Sequence, residues 1–157
     1  MHKLEIVIVM LVLSVIVGCV QPAQKPTDKI ATVTKLYLDS FKELPNDIEG
    51  CSCYFFKDEE ASKNKEYLFA NSYDSIAYVS VDKKLVRLKL TKTTREPNTF
   101  GDSDYSETYS NEDFKITIHV KYKKPAGDES WSTEGDLRIT RKDGQSFTTT
   151  FVGECGC

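Results

Sequence analysis

Histidine is almost absent from this chain of 157 residues: there are two, His2 and His119. His2 would leave with an export signal, and the alternation described below puts His119 among lysines on a wet face. Neither a His-dependent triad nor a multi-histidine metal site is therefore expected. There is a single tryptophan, Trp131, and both methionines fall within the first ten residues. Charge of one sign is missing as well. Lys and Arg total 21 against 24 Asp and Glu, for a net charge of −3 with no basic block. Nucleic-acid binding, which needs clustered cations to neutralise phosphates, is not expected. No G-x-S-x-G, Walker or Rossmann fingerprint occurs, so no catalytic residue and no cofactor are expected. The carboxylates flanking Trp131 (Asp128, Glu129, Glu134, Asp136) loosely resemble a glycosidase pair, but acidic pairs are common in loops and their spacing implies no cleft.

What is present is unevenly placed. Residues 1–18 hold 13 of the 62 apolar side chains. Ile6–Val17 spans 12 residues, about 18 Å of helix, short of a bilayer core of about 30 Å. It has the length of the apolar segment of an export signal. Ile16-Val17-Gly18-Cys19 then resembles the lipobox of bacterial lipoprotein precursors. That resemblance implies cleavage before Cys19 and a diacylglycerol thioether on its sulfur, with a further acyl chain on the new amino terminus. Two or three acyl chains anchor a protein effectively permanently. The expected location is the extracytoplasmic face of the cell envelope, with the lipid bilayer as first partner. Val20, where many inner-membrane lipoproteins carry Asp, favours the outer membrane if the source has two.

Residues 19–29 form the acylated cysteine and a tether, with two prolines and no aromatic side chain. Extended, the tether reaches roughly 30–35 Å. The remaining chain, 30–157, is expected to be one domain. Ile30, Val33, Tyr37, Phe41 and Leu44 are spaced as a helical stripe ending before Pro45, which predicts a peripheral N-terminal helix.

From Cys51 the apolar period becomes two. Ala77, Val79 and Val81 alternate with Ile76, Tyr78 and Ser80, and Val86, Leu88 and Leu90 with Arg87 and Lys89. Phe114, Ile116, Ile118, Val120 and Tyr122 alternate with Lys115, Thr117, His119, Lys121 and Lys123. These are antiparallel strands with one wet face, and His119 falls on that face. Cys51–Phe56 and Tyr67–Asn71 are shorter candidates. In the last hairpin a three-residue loop, Lys142-Asp143-Gly144, pairs Ile139 with Phe147, Leu137 with Thr149 and Trp131 with Cys155. That register puts every large apolar group except Val152 on one face. About seven strands with one helix predict a mainly β fold, a small antiparallel sandwich or barrel.

Four cysteines remain after Cys19: Cys51 and Cys53 in one C-x-C, Cys155 and Cys157 in another. An even count in an exported domain predicts disulfides. Within an extended C-x-C the two Cα atoms lie roughly 6.5–7 Å apart, at the edge of disulfide reach, so bridges between the pairs are favoured. Antiparallel neighbours give Cys51–Cys157 with Cys53–Cys155; parallel neighbours give Cys51–Cys155 with Cys53–Cys157. The competing readings are a soft-metal site for Zn²⁺ or Cu(I) and a thiol redox centre. C-x-C is not the usual zinc spacing, and no thioredoxin-like pattern accompanies it.

Lys92–Asp113 is expected to be a long polar connection. Asp102-x-Asp104-x-Ser106 resembles the start of a calcium loop, but Glu107 stands where the sharp turn needs Gly. No metal ligand is assigned. Phe100, Tyr105, Tyr109 and Trp131 are instead the candidate contacts of a binding surface.

The role this leaves is a non-enzymatic lipoprotein that binds an envelope protein or an external macromolecule. Lipobox, small antiparallel barrel and a C-terminal disulfide together are similar to the plan of lipoprotein inhibitors of c-type lysozyme. The inhibitory loop of that family is built around a Ser-Gly-x-x-Tyr-like run. The comparable stretch here, Phe100-Gly101-Asp102-Ser103-Asp104-Tyr105, departs from it.

Overall fold

Alternation of apolar and polar residues along most of the chain produces strands, and the strands close on themselves. The computed structural model describes residues 35–73, 75–96 and 103–157. Thr34–Cys157 forms a compact unit. It contains β1 (Ser52–Phe56), α1 (Glu59–Lys63), β2 (Tyr67–Ser72), β3 (Ile76–Val81), β4 (Lys84–Thr93), β5 (Tyr105–Ser110), β6 (Phe114–Gly127), β7 (Ser130–Arg141) and β8 (Ser146–Gly156). Each strand pairs antiparallel with the next and β8 pairs with β1, giving a closed eight-stranded barrel. Eight strands enclose an interior just wide enough to be filled by side chains. Phe55, Phe69, Val79, Leu88, Tyr109, Ile116, Ile118, Leu137 and Ile139 fill it and are fully buried.

Turn chemistry agrees with the closure. Asp82 and Lys83 both have positive φ, the type I′ condition for a two-residue hairpin between β3 and β4. The β7–β8 turn is the three-residue one: Arg141 N–H donates to Gln145 O at 2.9 Å, and Gly144 sits at φ +89°. Ile139 pairs with Phe147, Leu137 with Thr149 and Trp131 with Cys155, as the sequence predicts. Val152, the residue that did not fit the inner face, packs outside with Phe56, Ala61 and Tyr67.

Two inner positions are glycine because a side chain there would collide, at one with a ring and at the other with backbone. A Cβ at Gly153 would lie 2.4 Å from Phe55 Cδ1, and Phe55 stacks on Phe151 with centroids 4.1 Å apart. A Cβ at Gly135 would lie 1.9 Å from the His119 carbonyl oxygen.

Two expectations are corrected. Residues 35–44 form no helix. They run extended, with Leu36 and Leu38 packed on the barrel core and the exposed Tyr37 between them. Ile30 and Val33 of the expected stripe lie outside the described residues. The helix of this fold is α1, five residues long and capped by Asp58, whose carboxylate accepts from Ala61 N–H at 2.9 Å. The reason for the extended path lies in the barrel wall. β2 and β3 share a ladder of two pairs, Ala70 with Tyr78 and Asn71 with Ala77. Beyond it residues 39–41 lie against both strands: Asp39 N–H donates to Ser80 O, Phe41 N–H to Tyr67 O and Tyr67 N–H to Phe41 O. Satisfying those backbone groups outweighs a helical stripe.

The second correction concerns Lys92–Asp113. Tyr105–Ser110 is not loop but a strand, β5, which raises the expected seven strands to eight, with Tyr105, Glu107 and Tyr109 turned into the barrel. A calcium loop cannot be built on a paired strand.

Candidate functional site

The strand directions bring both C-x-C motifs to one end of the barrel. Ser52 of β1 pairs with Gly156 and Cys53 with Cys155. The disulfides are Cys51–Cys157 and Cys53–Cys155, the connectivity of antiparallel neighbours. Cys53 and Cys155 are fully buried. With all four sulfurs bonded, none is available as a thiolate ligand in this state, and no cluster of three or more His, Cys, Asp or Glu with metal-holding geometry occurs among the described residues.

Inside this end lies a polar network that closes the core. Asn71 Oδ1 accepts from Cys53 N–H at 3.0 Å, and Asn71 Nδ2 donates to Tyr109 Oη at 2.5 Å and to Glu107 Oε2 at 3.4 Å. Tyr109 Oη donates to the same carboxylate oxygen at 2.6 Å. Glu107 Oε1 accepts from Thr93 Oγ1 at 3.1 Å and from Arg95 Nε at 3.2 Å and Nη2 at 2.7 Å. Arg95 Nη2 also donates to the Tyr73 carbonyl, and its guanidinium lies 4.3 Å from the Tyr73 ring centre. The Glu107 side chain is wholly buried, so a carboxylate here is tolerable only because it is paired and hydrogen-bonded on both oxygens. A carboxylate so fully occupied is a structural anion rather than a general base.

Tyr105 stands between this network and the sulfurs. Its hydroxyl is 3.4 Å from Cys53 Sγ and 3.8 Å from Cys155 Sγ. Burial, with the Glu107 charge adding to it, pushes the phenols of Tyr105 and Tyr109 well above the usual tyrosine range.

The expected contact residues separate accordingly. Tyr105 and Tyr109 are corrected: both are buried, so neither can be a surface contact. Trp131 is half-buried, placed between Cys155 on β8 and Pro125 on β6 at the stapled rim. Phe100 and Cys19 lie outside the described residues. His119 is exposed on the wet face, its Nδ1 2.7 Å from Ser106 Oγ. Arg95, Glu107 and Asn71 were not predicted as site residues. The one sign of them in the sequence is Tyr105-x-Glu107-x-Tyr109, a period of two inside an otherwise polar stretch.

The tip of the β6–β7 hairpin stands at the rim of the stapled end. Lys124–Glu129 of that tip is exposed throughout. An outer hollow of about 420 Å³ beside it is lined by Gly50, Tyr54, Glu129, Ser130, Glu154 and Cys157, among others. The chain matches no known protein family, no curated protein and no solved structure.

Proposed function

We propose that this protein is a lipid-anchored module of a bacterial cell envelope that binds a macromolecular partner through the rim of its stapled end, without catalysis. The observation that carries the reading is the fate of the five cysteines. Four are consumed in two buried or rim disulfides, the chemistry of an oxidising compartment, and the fifth is the Cys19 of the lipobox. The interior supports it from the other side. A barrel filled by aromatic and aliphatic side chains leaves recognition to its loops. A soft-metal site would need the thiolates that the two bonds take up.

Replacing Cys19 by Ser is the direct test of the anchor. The variant should accumulate as uncleaved, unacylated precursor; normal processing would overturn the reading. For the partner, photo-reactive residues at Ser103 and Asp128 should form adducts with one envelope component or external macromolecule. No adduct at either position would remove the rim from consideration.

Lysozyme inhibition is a second reading, favoured by the closed antiparallel barrel with its C-terminal disulfide. The residue counterpart does not follow, because the Tyr105 phenol points at the sulfurs inside the barrel. Unchanged c-type lysozyme activity on mixing removes this reading, and inhibition would replace the general one.

A further inference from the structure

The outside of the barrel is divided. Over β1, β2 and β3 it is covered: Phe41, Ile48 and Leu44 lie on Tyr54, Tyr67, Ile76 and Tyr78, and α1 adds Ala61. Over β4 to β7 it is bare, and toward the β7–β8 turn its charge is mostly positive. The register places Lys89 beside Ser110, Ser110 beside Lys115 and Lys115 beside Thr140, so these four share one outward row. The next outward row runs Lys92, Thr108, Thr117, Arg138. Strands about 4.8 Å apart set Lys89 and Lys115 about 10 Å from each other, near the Debye length at physiological salt, so their potentials add. Lys89, Lys92, Lys115 and Arg138 form no ion pair among the described residues. The bordering acids Asp47, Asp113 and Glu134 are already paired with Arg87, Lys142 and Lys123. Asp136, one step from Arg138 along β7, and Glu112, in the β5–β6 turn, also border the face. In a chain of net charge −3, four cations without an ion pair on one hydroxyl-bearing sheet face, against two acids at its edge, are a concentrated exception.

The first described residues of the chain lie beside this face. Leu36 N–H donates to Gln145 Oε1 at 3.3 Å in the β7–β8 turn. The next residue, Ser146, pairs with Thr140 and so extends the row of Lys115 and Lys89. The 34 residues before Lys35, which include the lipobox cysteine, therefore join the barrel at the edge of the cationic face.

We propose that this face lies flat against the anionic headgroups of the membrane that holds the protein's own anchor, an assignment that rests on the lipoprotein reading above. The anchor supplies the affinity; the face supplies the orientation, holding the covered side and α1 away from the bilayer. Each cation near an anionic surface contributes severalfold to binding.

The test uses the full mature chain purified from membranes, with the mass of its N-terminal peptide read first. The chain is reconstituted on phosphatidylcholine vesicles with and without phosphatidylglycerol, and acetylation rates of single lysines are measured. Lys89, Lys92 and Lys115 should be protected severalfold relative to Lys57, Lys63 and Lys65, on the anionic vesicles only. Protection of Lys92 should disappear in the exposed-residue variant Lys89→Gln/Lys115→Gln/Arg138→Gln. Equal labelling on the two vesicles overturns the proposal. So does protection by soluble polyphosphate with none from vesicles, which would assign the face to a free polyanion. An unmodified Cys19 would sink the anchor reading separately. The same chain's co-sedimentation with anionic vesicles would then decide the face alone: about a hundredfold loss in the triple variant supports it, and no binding overturns it.

Discussion

Arg95, whose side chain is one-tenth exposed, holds the fully buried carboxylate of Glu107 at 2.7 Å across the mouth of the barrel. Arg95 precedes β5 and Glu107 lies within it, so the connection between β4 and β5 is fastened to the core by its own cation. Arg95→Met should leave a buried charge without its partner and cost about 3–5 kcal/mol. Glu107→Gln in that background should recover much of the loss, since the charge itself is then gone. Urea unfolding midpoints of the two variants check this; additive losses would mean the pair is not coupled.

The raised phenols of Tyr105 and Tyr109 set an alkaline limit. Their folded pKa lies above the unfolded value of 10.0, so the stability linked to their protonated forms is complete below pH 10. Above pH 10 the unfolded chain loses two protons that the folded chain keeps. Stability should then fall by about 2.7 kcal/mol per pH unit for the two groups. Phenolate absorbance should show both tyrosines silent until the barrel unfolds. Titration of either in the folded state would contradict their burial.

The two disulfides are nested, with sequence separations of 106 and 102. The first bond to form closes a loop of about 100 residues, about 4.7 kcal/mol on the chain-entropy argument. Once it is closed, the second closes a ring of about six residues and adds only about 2 kcal/mol. Replacing either pair by serine should therefore cost about 2 kcal/mol, and replacing both about 7 kcal/mol. A double variant that loses only the sum of the two single losses, in thermal or urea unfolding, would refute the nesting.

Gly135 and Gly153 should respond differently to alanine. At Gly153 the nearest obstacle is a ring edge of Phe55, so Phe55→Leu should relieve part of a loss of about 1–3 kcal/mol. At Gly135 it is the His119 backbone oxygen, and trimming a side chain such as Phe151 should give little relief. The same unfolding measurements, made on single and double variants, separate the two cases.

What was legible in the sequence follows from who satisfies each segment. The β7–β8 register could be read because Gly144 fixes the turn and one slip would turn Phe147 and Phe151 outward. The cysteine connectivity narrowed to two choices for the same local reason. β5 was missed because its inward residues include Glu107, and the cation that makes a buried glutamate acceptable comes from outside the strand, at Arg95. The stretch from 35 to 44 was misread because its backbone partners, Ser80 and Tyr67, lie 41 and 26 residues away from Asp39 and Phe41. No periodicity within a segment reports a vacancy in a distant sheet. Trp131 falls beside Cys155, as the hairpin register predicts.

The wedge at residues 39–41 gives the path of the chain a mechanical meaning. On the lipoprotein reading proposed above, tether and barrel wall are successive parts of one stretch of chain, and the domain would not be a finished bead hung on a string. A pull along the leading residues is delivered to the seam between β2 and β3, whose own ladder is two pairs long. Drawing that stave out would bare the backbone of Tyr67 and Ser80 as open edges, the form in which a sheet recruits another strand. The disulfides cannot resist this, because they lie at the opposite end of the barrel.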